Sequence, residues 1–254
     1  MAQSVVLLHG FGGTRRAWDG VIAALDRERY RPLALDLPGH GEAAGAARAI
    51  TFAGCVAHVL AHSPARFTLC GYSLGGRVAL HVALAAPERV RRLVLVSASA
   101  GIEDPHERAA RRLADERLAD DLETIPFERF VERWGAQRLF AEDPPEVGAL
   151  AREDQRRNRP EALALVLRGI GTGEMEPLWD RLSDLTMPTT IVVGDRDRKF
   201  LGLGRRMADL LPEAKLTVVP GGHRLPLEDA AAVAGALALG DPARNRLTPP
   251  REPT

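Results

Sequence analysis

Gly71-Tyr72-Ser73-Leu74-Gly75-Gly76-Arg77 lies between an apolar run, Arg66-Phe67-Thr68-Leu69-Cys70, and a stretch with helical apolar spacing, Val78-Ala79-Leu80-His81-Val82-Ala83-Leu84. A G-x-S-x-G segment bracketed by a strand and a helix is a nucleophile elbow. Gly71, Gly75 and Gly76 permit a sharp turn and a close approach of strand to helix, which holds the Ser73 hydroxyl exposed and strained above the sheet. The alternative is an ordinary tight turn, and the flanking strand and helix argue against it.

Outward from the elbow, short β-branched or leucine-rich runs at residues 4–8, 32–35, 67–70, 93–96, 189–193 and 216–219 alternate with helical stretches at 16–26, 51–61, 74–86, 200–211 and 227–239. Such alternation predicts an α/β fold with a mainly parallel sheet of about six strands joined by crossover helices. Between about residues 102 and 172 the pattern changes to charge-dense helices at 107–122, 127–134 and 145–167, with no strand. The expected organisation is therefore a core of residues 1–101 and 173–240 with a helical lid, 102–172, inserted after the fourth strand. The last stretch, 241–254, carries Pro242, Pro249, Pro250 and Pro253 without an apolar period, and is expected to be frayed or disordered.

A chain of 254 residues with 45% hydrophobic content can bury one full α/β core. Lys+Arg and Asp+Glu are each 34, so no basic field points to nucleic acid or to an anionic membrane. Met1-Ala2-Gln3-Ser4 runs straight into the first strand and no apolar run approaches a membrane span; a cytoplasmic protein is expected. The partner expected is a small anionic substrate, the chain acting as a monomer or weak homo-oligomer. Cys55 and Cys70 read as buried free thiols, with a disulfide left open by sequence alone. His58 and His62, four apart on a helix, lack a carboxylate pattern beside them, so no metal site is expected.

A serine hydroxyl becomes reactive when a histidine takes its proton and a third group fixes that histidine's tautomer. After the late strand Ile191-Val192-Val193 comes Gly194-Asp195-Arg196-Asp197-Arg198-Lys199-Phe200, and after Leu216-Thr217-Val218-Val219 comes Pro220-Gly221-Gly222-His223. The order serine, acid, histidine suits such a sheet. His223 is chosen because it alone lies past a late strand in a Gly-rich turn. Asp195 and Asp197 compete for the acid, and spacing hardly separates them. Asp197 is preferred because Asp195, nearer the strand end, suits a turn or helix cap. Backbone amides of Leu74 and Phe11, the latter in His9-Gly10-Phe11-Gly12-Gly13, would form an oxyanion site. His9 reads as a hydrogen-bonding residue of that loop, and Asp36-Leu37-Pro38-Gly39-His40-Gly41 is assigned no chemistry. Arg77, one helical turn past Ser73, is placed to flank the same pocket, against the plainer reading of a helix-surface ion pair.

Together these motifs resemble the α/β-hydrolase superfamily over nearly the whole chain. Further details are Tyr72 through Arg77, Phe130-Val131-Glu132-Arg133-Trp134 with Leu139-Phe140, Leu167-Arg168-Gly169-Ile170-Gly171-Thr172-Gly173, Leu178-Trp179 and Asp195 through Phe200. In these the chain is similar to the 2-succinyl-6-hydroxy-2,4-cyclohexadiene-1-carboxylate synthases of menaquinone biosynthesis. The resemblance implies elimination of pyruvate from 5-enolpyruvoyl-6-hydroxy-2-succinyl-cyclohex-3-ene-1-carboxylate without metal or organic cofactor. Ser73, deprotonated through His223 and Asp197, would act as general base. It also implies Arg77, Arg111 and Arg156 as carboxylate ligands, Trp134 as the pocket's roof and Tyr72 as its lining. Arg108 and Arg112 compete with Arg111 in a shifted register, residues 155–157 bracket the third arginine, and both aromatics have a plain alternative as core residues. One departure is that Pro226 stands where the family commonly has a second histidine, with Glu228 following. Two other readings are carried: an esterase or carbon–carbon hydrolase working through an acyl-enzyme, and a sensing scaffold with vestigial chemistry.

Overall fold

The computed structural model describes residues 2–45 and 49–238. Six parallel strands, β1 (Gln3–Leu8), β2 (Tyr30–Leu35), β3 (Phe67–Tyr72), β4 (Val90–Val96), β5 (Thr189–Gly194) and β6 (Ala214–Val219), form one sheet in the order β2-β1-β3-β4-β5-β6. Strands covered on both faces read as continuous apolar runs, which is why Val5-Val6-Leu7-Leu8 and Leu93-Val94-Leu95-Val96 could be recognised without alternation. Alternate residues serve different layers. Val6, Leu8, Leu69, Leu93 and Leu95 pack under α2 (Phe52–His62), α3 (Leu74–Ala85) and α8 (Arg198–Leu210). Val5, Leu7, Cys70, Val94 and Val96 pack against α1 (Asp19–Ala24) and α10 (Ala230–Ala238).

The chain reverses direction across the sheet between β1 and β3. The carboxyl ends of adjacent strands at such a switch point open a crevice. The loop after β1 and the elbow after β3 therefore meet there, and the loops after β5 and β6 reach the same end.

Between β4 and β5 stand α4 (Pro105–Thr124), α5 (Phe127–Gly135), α6 (Pro145–Gln155) and α7 (Pro160–Ile170). They share a small core of Ala119, Leu122, Phe130, Leu163, Ala164 and Leu167. The single helix expected over 145–167 is two. Pro160 opens α7 and disfavours helical backbone in the residue before it, and Arg159 is extended. The helix expected over 16–26 is a 3₁₀ turn, Arg15–Trp18, followed by α1. The last expected helix is a short α9 (Leu225–Glu228) and then α10, separated at Asp229. Cys55 and Cys70 are buried and free; burial pushes the Cys55 thiol up to about 12. The tail, 241–254, lies outside the described residues, as do positions 239–240 of the expected core.

Candidate active site

β3 ends at Tyr72 and α3 begins at Leu74, leaving Ser73 as the single residue of the turn, with φ 50° and ψ −109°. A side chain at positive φ costs about 1–3 kcal/mol and persists where its surroundings impose it. Here the imposing contacts are visible. A Cβ on Gly71 would stand 2.2 Å from the Gly75 carbonyl oxygen, and one on Gly75 would stand 2.2 Å from that of Leu8. Only glycine lets strand, helix and β1 loop close to this distance.

His223 reaches the serine from the loop after β6. Its Nε2 lies 3.1 Å from Ser73 Oγ, and its Nδ1 lies 2.7 Å from Asp197 Oδ2. Both His223 and Asp197 are buried. A carboxylate can only accept, so Nδ1 carries the proton and Nε2 is left as acceptor for the serine hydroxyl. The competition between the two aspartates resolves by role: Asp195 Oδ1 accepts from the Gly221 amide at 3.0 Å and so ties the β5 turn to the histidine loop. Glu228 completes that tie. It accepts from the Gly222 amide at 2.7 Å and pairs with Arg196. The His223 ring packs against Phe200, centroids 4.4 Å apart, with Tyr72 at 5.4 Å and Phe140 at 6.0 Å.

The amides of Phe11 and Leu74 donate no hydrogen bond among the described residues, as an anion-receiving pair requires. The loop that carries Phe11 is held from several sides. His9 Nδ1 bonds the Gly10 carbonyl at 2.8 Å while its Nε2 accepts from the Leu37 amide at 3.0 Å. The Gly12 amide donates to His40 Nε2 at 3.3 Å, and Asn158 Nδ2 donates to the Gly12 carbonyl at 2.9 Å. Asp154 accepts from both the Thr14 amide, 2.7 Å, and the Thr14 hydroxyl, 2.5 Å. Burial pulls the pKa of His9 and of His40 below 6.5, which keeps both rings neutral and able to accept. His40, to which the sequence reading assigned no chemistry, thus orients the loop.

A cavity of about 50 Å³ beside Ser73 is lined by Phe11, Tyr72, Trp134, Phe140, Gln155 and Arg224, among others. Trp134 covers it from α5, its ring 4.7 Å from that of Phe11. Desolvation raises the Tyr72 hydroxyl's pKa, so this group stays protonated.

The three expected arginines lie outside this cavity's lining. Arg77 does not line this cavity. One turn into α3 it is already buried under α7, where Nη1 donates to the Ile170 carbonyl at 2.9 Å. Burial, and then the nearby Arg111, push its guanidinium down to about 10. Arg111 is also outside the cavity lining, its Nε donating to the buried Asp115 at 2.8 Å. Arg156 turns outward from the end of α6 and makes an exposed pair with Glu128 at 2.9 Å. Its neighbour Gln155 is the residue of that turn facing the cavity, buried and with Nε2 unpartnered among the described residues. Both residues lay within the window bracketed for the third arginine; which one faced inward depended on the helix end at Gln155. Arg224 and its partner Asp143 were missed. Adjacency to His223 was the available signal.

The alpha/beta hydrolase family model matches residues 5–236. A 2-succinyl-6-hydroxy-2,4-cyclohexadiene-1-carboxylate synthase of Salmonella paratyphi C is 31% identical, covering 93% of each chain. Among solved structures, MenH from S. aureus superposes with a TM-score of 0.84 at 32% identity, over 93% of this chain and 92% of that one. A malate-bound thermophilic esterase from Thermogutta terrifontis gives 0.78 at 25% identity, over 94% and 89%. Strand order, elbow and a match running almost end to end agree: the chain belongs to the alpha/beta hydrolase family.

Proposed function

We propose that this chain is a 2-succinyl-6-hydroxy-2,4-cyclohexadiene-1-carboxylate synthase, a lyase of menaquinone biosynthesis. The observation that carries the reading is likeness to named synthases over 93% of the chain, joined to an unbroken Ser73–His223–Asp197 hydrogen-bond chain. The substrate is 5-enolpyruvoyl-6-hydroxy-2-succinyl-cyclohex-3-ene-1-carboxylate. His223 Nε2 draws the Ser73 proton, and Ser73 Oγ removes the ring proton next to the succinyl carbonyl. The electron pair released forms a new ring double bond, the existing one shifts, and the carbon–oxygen bond to the enolpyruvyl group breaks. The leaving enolate takes up a proton and departs as pyruvate. Negative charge building on the succinyl carbonyl oxygen is met by the Phe11 and Leu74 amides. Asp197 holds the imidazolium that forms between the two steps.

The surrounding charge suits a substrate with several carboxylates. Beyond the cavity lining, Arg77 and Arg111 face one buried carboxylate, Asp115, so the region under α3 and α4 adds positive charge near the site. Among the described residues no helix is long and apolar enough to cross a membrane. A cytoplasmic location goes with this reading, supported by two buried cysteines that form no disulfide. Purified protein is expected to release pyruvate from the succinyl-enolpyruvoyl substrate, followed through lactate dehydrogenase, and Ser73→Ala is expected to abolish release. Absence of pyruvate together with turnover of p-nitrophenyl esters and a Ser73 acyl adduct by mass spectrometry would replace the lyase with an esterase. The resemblance to the Thermogutta esterase and the serine's nucleophile geometry favour that second reading.

A further inference from the structure

Arg224 follows His223 directly and lines the same cavity as Phe11, Tyr72, Trp134 and Phe140. The residue as a whole is only 7% exposed. Two groups hold it. Nη1 donates to Asp143 Oδ2 at 2.5 Å, and the guanidinium carbon stands 3.6 Å from the centroid of the Phe140 ring. A guanidinium has five N–H groups in a planar fork, and here Nε and Nη2 have no partner among the described residues. A buried cation that keeps one edge of its fork unused toward a cavity is arranged for a second planar anion.

We propose that Arg224 is a carboxylate-binding residue of this site, taking one carboxylate of the substrate on its Nε/Nη2 edge while Asp143 keeps Nη1. The proposal rests on the reading of the chain as an enzyme for a multiply anionic small molecule. Position supports it. Phe140 and Asp143 both belong to the insertion between β4 and β5, whereas Arg224 belongs to the loop of the catalytic histidine, so the cation is fixed between the two walls of the cavity. Stacking on Phe140 orients the fork's plane, and ion pairing to one Nη leaves the opposite edge aimed away from Asp143. Desolvation raises the Asp143 pKa, and Arg224 opposes that shift more than any other neighbour. A ligand carboxylate arriving on the free edge shares the cation with Asp143.

That sharing makes two variants behave oppositely. Arg224→Met removes the receptor, whereas Asp143→Asn removes the competing charge and leaves the receptor in place. Binding of succinate, measured calorimetrically on purified protein without turnover, should weaken at least tenfold in Arg224→Met. It should be unchanged or several-fold tighter in Asp143→Asn, and intermediate in Arg224→Lys, which keeps charge but not the fork. A merely structural latch predicts that Arg224→Met and Asp143→Asn weaken binding alike, and that result overturns the proposal, as does failure of the unaltered protein to bind succinate. The lyase reading is judged separately. Pyruvate release with unchanged KM in Arg224→Met would sink the role of Arg224 and leave the lyase standing, while Arg224-dependent succinate binding without pyruvate release would do the reverse.

Discussion

At the scale of single residues, the site depends on which of two neighbouring aspartates faces the imidazole. Asp197 lies 2.7 Å from His223 Nδ1, while Asp195 is spent on the Gly221 amide. Replacing a carboxylate by an isosteric amide in the first position offers the ring a donor where it needs an acceptor and favours the wrong tautomer. Asp197→Asn is therefore expected to lower kcat by about 10³–10⁴-fold with little change in KM. Asp195→Asn keeps an oxygen that can still accept from the Gly221 amide, so its activity should fall less than about tenfold and its stability by about 1 kcal/mol. Steady-state kinetics of the two variants decide the assignment, and equal losses would reject it. Spacing in the sequence carried Ser73 and His223 because glycines and strand ends announce them. It could not separate two aspartates two apart, because their difference is which backbone amide each side chain meets.

At the scale of elements, the insertion is joined to the loop after β1 by the turn between α6 and α7. Asn158 bridges two loops at once, donating to the Gly12 carbonyl and accepting from the Gly41 amide at 2.9 Å, and Asp154 takes both polar hydrogens of Thr14. The position of the Phe11 amide thus depends on a residue more than a hundred positions away in the chain. Asn158→Ala leaves two backbone groups without their partner, at a cost of about 1–3 kcal/mol in stability. Because the Phe11 loop loses a support, kcat should drop more than KM rises; a variant destabilised but with kcat intact would show that Asn158 only fastens the insertion. The apolar periods of α4, α5 and the sheet strands were legible because burial on one or both faces dictates them. The break between α6 and α7 was signalled by Pro160, yet an apolar pattern continuing on either side concealed it. Long-range bonds such as Asn158 to Gly12 have no local signature, since partner and position come from packing.

At the scale of the whole molecule, two histidines, His9 and His40, are buried and two more, His58 and His81, are half-buried, and this sets how stability responds to acid. His9, His40, His58 and His81 all have their pKa lowered from 6.5 in the folded chain, with desolvation the largest cause in each. Unfolding restores the ordinary value. Between the folded and unfolded values the unfolded chain holds more protons, so stability is complete above about pH 6.5 and is lost as pH falls from there toward the folded-state values. Each such histidine can contribute a slope of up to about 1.4 kcal/mol per pH unit. Glu42, Glu103, Glu123 and Glu128, held low by exposed arginine pairs, act in the same sense only below 4.5, and Asp143 acts in the opposite sense. Urea unfolding followed from about pH 7.5 to 5 should therefore stay level down to about pH 6.5 and decline below it. His40→Gln, whose amide oxygen can still accept from Gly12 without titrating, should flatten that decline while leaving the loop in place. An unfolding free energy that stays level across this interval would mean that these rings titrate alike in the folded and unfolded chain, and burial would not be what holds the acceptors of the Phe11 loop neutral.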